Sequence, residues 1–157
     1  MAEDKDTRYR ECREKIRALC EGEEDVIAKM ASVVAVLHGT MADFFWTGFY
    51  RATAGGLVIG PYQGSVGCLR IEFGRGVCGT AAATGRTQVV ADVHRFPDHI
   101  ACDARSQSEI VVPVRDAAGG LLGVLDVDSE RLSCFDDKDR EHLEEILGET
   151  FATGAEA

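Results

Sequence analysis

The segment from Glu109 to Ser129 constrains this chain most. Two β-rich runs, EIVVPVRD (109–116) and LLGVLDVDS (121–129), flank a DAAGGL turn. A two- or four-residue loop centred between Ala118 and Gly119 places Glu109 opposite Asp128 and Val111 opposite Asp126. Directly opposed residues point the same way and alternate residues share a face. Glu109, Asp126 and Asp128 are therefore expected on one face, at one end, of a two-stranded ribbon. Pro113 has no amide hydrogen to give, which favours an edge position or a bulge in the first run. Like charges on facing strands repel. Such a cluster needs a bound cation, a substrate ammonium or a proton retained on one carboxyl, unless it is simply a hydrated strand end. A retained proton would make a general acid near neutral pH. Spacing alone leaves all four open.

The rest of the chain supplies what packs on that ribbon. Residues 7 to about 39 read as helical, with Ile16, Leu19 and Cys20 in one apolar stripe and Val26, Ile27, Met30, Val33, Val34 and Leu37 in a second. Gly22 separates the stripes and Gly39 is a stop signal. FFWTGFY (44–50) and GLVIGPYQG (56–64) read as strands joined by a turn near Gly55-Gly56. VCGTAAATG (77–85) reads as a short helix and TQVVAD (87–92) as a strand. Residues 93–108 have no period and form the longest irregular stretch, a length more often functional than idle. FDDKDREHLEEILGETF (135–151) closes the chain as an amphipathic helix with Leu143, Ile146 and Leu147 inward. The expectation is an α+β fold, helices at both ends around a mostly antiparallel sheet. A single domain over 1–157 is expected, helical over 1–43 and carrying the sheet and site over 44–129.

A formal net charge of -10 argues against nucleic acid or an anionic membrane as partner. The densely charged N-terminus lacks the apolar stretch of a signal peptide, so a cytoplasmic, reducing setting is expected. There the six cysteines (12, 20, 68, 78, 102 and 134) are buried hydrophobes, metal ligands or reactive thiols.

Cys102 stands in HIACDARSQSE within the irregular stretch, where His94, His99 or Arg105 could favour its thiolate; an idle loop cysteine is the alternative. Cys68 lies beside a predicted strand. Cys78, just past Gly76 in an apolar helix start, reads as buried filler. Cys12, Cys20 and Cys134 read as packing or surface residues. His94, His99 and Cys102 lack the paired spacing of a structural zinc site, so no metal is expected. GRGVCG (74–79) matches GxGxxG, but the antiparallel surroundings argue against a dinucleotide. Its glycines can still turn helix-start amides toward a small anion such as an amino-acid carboxylate. Trp46 and Tyr50 share a strand face with Gly48 between them, either as a core pair or as aromatic walls around a methyl-sulfur group.

From about Phe44 to Asp128 the chain resembles the free methionine-(R)-sulfoxide reductase family, a stand-alone branch of GAF domains. The resemblance is carried by WTGFY (46–50), GPYQG (60–64), RIEFGRGVCGTAAATG (70–85), DVHRFPDHIACDARSQSEIVVPV (92–114) and GVLDVDS (123–129). Cys68 and Cys78 are ten residues apart and Cys78 and Cys102 twenty-four, which is the family's spacing. The resemblance implies Cys102 as nucleophile, Cys68 as resolving cysteine and Cys78 as an auxiliary. It puts Trp46 and Tyr50 in the substrate pocket and Glu109, Asp126 and Asp128 in the acidic cluster, with Glu109 and Asp126 candidate proton donors. It implies reduction of free L-methionine (R)-S-oxide, no cofactor, a thioredoxin-type reductant and a homodimer. The competing class is a GAF module that binds a small ligand or senses redox state without turnover. A peroxide-reducing thiol protein is a third, which gives no purpose to the aromatic walls.

Overall fold

A computed structural model describes residues 4–100 and 102–152; Ala101 of the irregular stretch and both chain ends lie outside them. Helices α1 (Lys5–Cys20) and α2 (Val26–Thr40) lead into strands β1 (Trp46–Thr53), β2 (Gly56–Gln63) and the short β3 (Arg70–Ile71). Helix α3 (Gly76–Thr84), β4 (Gln88–Val90), β5 (Ser108–Arg115), β6 (Leu121–Ser129) and α4 (Asp137–Phe151) follow. Among the described residues, aspartates start three of the four α-helices. Asp4 accepts from the amide of Thr7 at 2.7 Å and Asp25 from that of Ala28 at 2.8 Å. Asp136 and Asp139 form a reciprocal capping box at α4. Gly85 ends α3 at φ 69°, a left-handed conformation that favours glycine.

The six strands form one sheet in the order β3-β2-β1-β6-β5-β4, every pairing antiparallel. The hairpin register is the expected one: Glu109 faces Asp128 and Val111 faces Asp126. A bulge follows at Val114/Arg115. β4 pairs with β5 only as far as Val111, so Pro113 sits where that flank is open and a missing donor costs nothing.

Alternation along the strands makes two cores. On one face Phe49, Ile110, Val112, Leu125 and Val127 pack under α1, α2 and α4. On the other, Trp46, Tyr50, Val111 and Val124 pack with Val77, Cys78 and Ala81 of α3. The outer helices are pinned through buried Asp139, which accepts from Tyr9 Oη at 2.5 Å and Lys5 Nζ at 2.6 Å.

Three details differ from the sequence reading. Leu19 and Ile27, expected in apolar stripes, are exposed. The contact line on α1 runs through Tyr9, Cys12, Ile16 and the partly buried Cys20, which leaves Leu19 to one side. Gly39 does not stop α2, which continues through Thr40. Strand β3 went unread because two residues carry no alternation to recognise.

Candidate active site

Rows of residues cross the sheet on the α3 face. Trp46, Asp128, Glu109 and Val90 lie side by side in one row. Tyr62, Gly48, Asp126 and Val111 form the next, and Tyr50 with Val124 the third. The three carboxylates therefore converge as their strand positions require. Glu109 and Asp126 are each only 6% exposed, which removes hydration as their compensation. Burial, reinforced by the charges of Asp126 and Asp128, pushes the Glu109 carboxyl well above the ordinary range. Burial pushes Asp128 well up and Asp126 up. Carboxyls raised in this way hold a proton to higher pH than an ordinary carboxylate does, which suits one of them to act as a general acid.

Helix α3 brings Cys78 onto this face. It is buried as expected, but it is more than filler. Its sulfur and one oxygen each of Glu109 and Asp126 lie within 4.8 Å of one another. Burial first, then the neighbouring carboxylates, push the thiol well up, so Cys78 is a neutral thiol at rest. Among the described residues, Asp126 Oδ1 is the buried side-chain atom with no hydrogen-bond partner. An orphaned acceptor at the floor of a pocket is suited to a cationic donor. Cys78, Glu109 and Asp126 are also the described residues placed to share a metal ion. The histidines considered for zinc do not join them as a set. His94 is exposed, Cys102 is bonded elsewhere, and His99 Nε2 stands 3.9 Å from Glu109 Oε1.

Trp46 and Tyr50 wall the pocket, their rings 6.0 Å apart and inclined by 21°. The space over Gly48 is filled by the Trp46 indole. A Cβ on Gly48 would lie 2.6 and 2.8 Å from Cη2 and Cζ3 of Trp46, so the glycine seats the indole itself. Tyr62, opposite Gly48, stacks on that indole at 5.2 Å and completes an aromatic tier the sequence reading missed. The signal was present in the cross-strand pairing of β1 with β2, where residues facing a glycine meet its neighbours. Gly48→Ala is therefore expected to cost about 1–3 kcal/mol by overpacking. A urea titration checks this, and the fluorescence of Trp46, the chain's one tryptophan, is expected to shift with it.

Cys68, in the loop after β2, and Cys102, in the irregular stretch, are joined by a disulfide with their Cα atoms 5.8 Å apart. Cys102 is exposed and Cys68 half-buried. Both loops border the pocket, through Gly67 on one side and His99 and Cys102 on the other. Gly76 and Val77, at the start of α3, close the remaining side. Arg75 provides no side-chain cap there, which leaves first-turn amides available to an anion. Cys12 is buried, and Cys20 and Cys134 are half-buried, all away from this pocket. GRGVCG lies between strands that pair antiparallel, not in a β-α-β unit.

The GAF domain family matches residues 20–150. The free methionine-R-sulfoxide reductase of Escherichia coli is 42% identical over 141 residues, covering 90% of this chain and 85% of the relative. The chain belongs to the free methionine-(R)-sulfoxide reductase family. A reductase of that name from Neisseria meningitidis, solved in complex with its substrate, superposes with a TM-score of 0.88 at 46% identity, covering 94% of this chain and 88% of the other. A Burkholderia vietnamiensis protein solved as a candidate GAF sensor superposes at 0.89 with 49% identity, over 96% of this chain and 94% of the other. Membership in the reductase family accords with the sequence resemblance, and no helix among the described residues is long and apolar enough to cross a membrane.

Proposed function

We propose that this chain reduces free L-methionine (R)-S-oxide to L-methionine, with Cys102 as nucleophile and Cys68 as resolving cysteine. The observation that carries the reading is the meeting of Cys68 and Cys102 at the rim of a pocket floored by three carboxylates. The Cys102 thiolate attacks the sulfoxide sulfur while a protonated carboxyl, Glu109 or Asp126, donates to the oxygen. The sulfur–oxygen bond of the substrate breaks, the protonated oxygen passes to the Cys102 sulfur as the transient bond between Cys102 and the substrate sulfur opens, and methionine leaves Cys102 as the sulfenic acid. The Cys68 thiol then displaces that oxygen as water and the disulfide forms. A thioredoxin-type dithiol reopens it by exchange, a supply that a cytoplasmic setting provides. No organic cofactor or metal enters these steps.

The same geometry explains a preference for the free amino acid. The α-ammonium is held by Asp128 and the unpartnered Oδ1 of Asp126, and the α-carboxylate by first-turn amides of α3. A peptide-bound residue would leave these groups unpaired at about 1–3 kcal/mol each. The choice of R epimer rests on the family, as does a homodimer, which sedimentation tests. The deciding assay is methionine release from each separated epimer, free and peptide-bound, under dithiothreitol and then under thioredoxin with its reductase. Turnover of the free R epimer alone is the expected result. A folded, fully reduced protein that releases no methionine from either epimer would leave a GAF binding module instead.

A further inference from the structure

The two cysteine-bearing loops are joined by more than their disulfide. Ser65 Oγ, three residues before Cys68, donates to Asp103 Oδ2, one residue after Cys102, at 2.7 Å. Among the described residues this is the hydrogen bond that links the 64–69 loop to the 96–107 loop. Each end of it is anchored to the same place on the sheet. On one side, Trp46 Nε1 donates to the Ser65 carbonyl at 2.7 Å. Gly64 packs so closely there, at φ 124°, that a Cβ would lie 2.8 Å from Trp46 Cδ1 and 3.1 Å from the Phe45 carbonyl. On the other side, Arg105 grips both oxygens of Asp103, Nε at 3.1 Å and Nη2 at 2.8 Å, while its own amide donates at 2.9 Å. The Arg105 guanidinium lies over the Phe45 ring, 4.7 Å from its centre. Phe45, Arg105, Asp103, Ser65 and Trp46 thus close a ring that begins and ends on two adjacent residues at the entry to β1.

We infer that Ser65 and Asp103 are positioning residues for the resolving step: they clasp the Cys68 loop to the Cys102 loop so that the Cys68 thiol stays within reach of the Cys102 sulfenic acid. This deepens the proposed function and rests on it. In the step concerned, the Cys68–Cys102 bond forms, the sulfenic S–O bond breaks, and the oxygen leaves as water with the thiol proton. The clasp touches neither departing atom. Its effect is on proximity, since ordering two loops in advance raises the effective concentration of one thiol at the other. Hydrogen bonds from the Arg105 side chain, its amide and Ser65, with the Arg105 charge behind them, hold the Asp103 carboxyl well below the ordinary range, so the acceptor is ionised at every pH where the enzyme would work.

The test is a single turnover of pre-reduced protein, freed of added reductant, with excess free methionine (R)-S-oxide, following two signals. Methionine release reports the attack by Cys102, and the decay of dimedone-reactive sulfenic acid reports its capture by Cys68. Ser65→Ala is expected to leave the methionine burst intact and to slow sulfenic-acid decay about tenfold. Ser65→Thr keeps the hydroxyl and is expected to restore the wild-type decay. A normal burst with unslowed decay in Ser65→Ala would overturn the clasp while sparing the reductase reading. Equal slowing in Ser65→Ala and Ser65→Thr would also overturn it, because loop packing rather than the hydroxyl would then be responsible. No burst from the wild-type protein would remove the reductase reading and the clasp with it.

Discussion

Replacing Cys102 by serine is expected to abolish methionine formation, by at least about 10⁴-fold, whereas replacing Cys68 leaves the first turnover intact. The asymmetry follows from where the thiols stand. Cys102 is exposed on a loop at the pocket rim. The other thiols are poor substitutes: Cys68, set free by the substitution, does not itself line the pocket, burial pushes Cys12, Cys20 and Cys134 up, and it pushes Cys78 well up with added carboxylate charge. A serine hydroxyl at 102 would be too weakly acidic to attack sulfur. In Cys68→Ser the attack proceeds but its product has no partner. Without added thiol, about one methionine per enzyme should appear and stop, with the sulfenic acid persisting on Cys102. Rapid-quench assay for methionine, with mass analysis of the protein, reads both. Sustained turnover by Cys102→Ser would overturn the assignment of the nucleophile.

The site was legible in the sequence wherever strand geometry alone decides it. The DAAGGL turn pins the hairpin register, and a period of two then forces Glu109, Asp126 and Asp128 onto one face. Where a rotamer or a second loop decides, the reading fell short. Gly48 was placed correctly between Trp46 and Tyr50, yet strand position does not say that the indole folds back over it. Cys78 was correctly read as buried. What it is buried against depends on how α3 docks on the sheet, which no local pattern encodes. Ser65 and Asp103 went unread for the same reason. They lie 38 residues apart, each on a loop without period, and the contact exists only once β1 anchors both. The Cys68–Cys102 pairing was expected from the family resemblance, not from spacing.

Glu109→Gln is expected to cost about 10²–10⁴-fold in turnover while making the protein more stable at neutral and higher pH. Both effects have one origin. Glu109 is buried beside Asp126 and Asp128, and its carboxyl is raised well above the ordinary range by burial and by their charge. A proton kept at neutral pH is what an oxygen leaving sulfur requires. The same shift penalises folding. Below the unfolded carboxyl's range, near about pH 4, Glu109 is neutral folded and unfolded, and no penalty applies. As pH rises from there to the raised folded value, the unfolded chain loses the proton and the folded chain holds it, so stability falls throughout that window. Glutamine is neutral at all these pH values and removes Glu109's share of the slope, while Asp126 and Asp128, also raised by burial, keep a slope of the same sign in both proteins; its amide can also donate to the carboxylate of Asp126. Asp103 and Glu149, held low by arginines, give slopes of the opposite sign, but they are common to both proteins and cancel in the difference. The variant and wild type are therefore expected to melt together near pH 4 and to separate by roughly 2–8 °C at pH 8, the variant higher. Thermal melts across that range check it. A variant that melts lower at pH 8 would mean that Glu109 is ionised and compensated in the folded protein, and the proton donor would then have to be sought at Asp128 or Asp126.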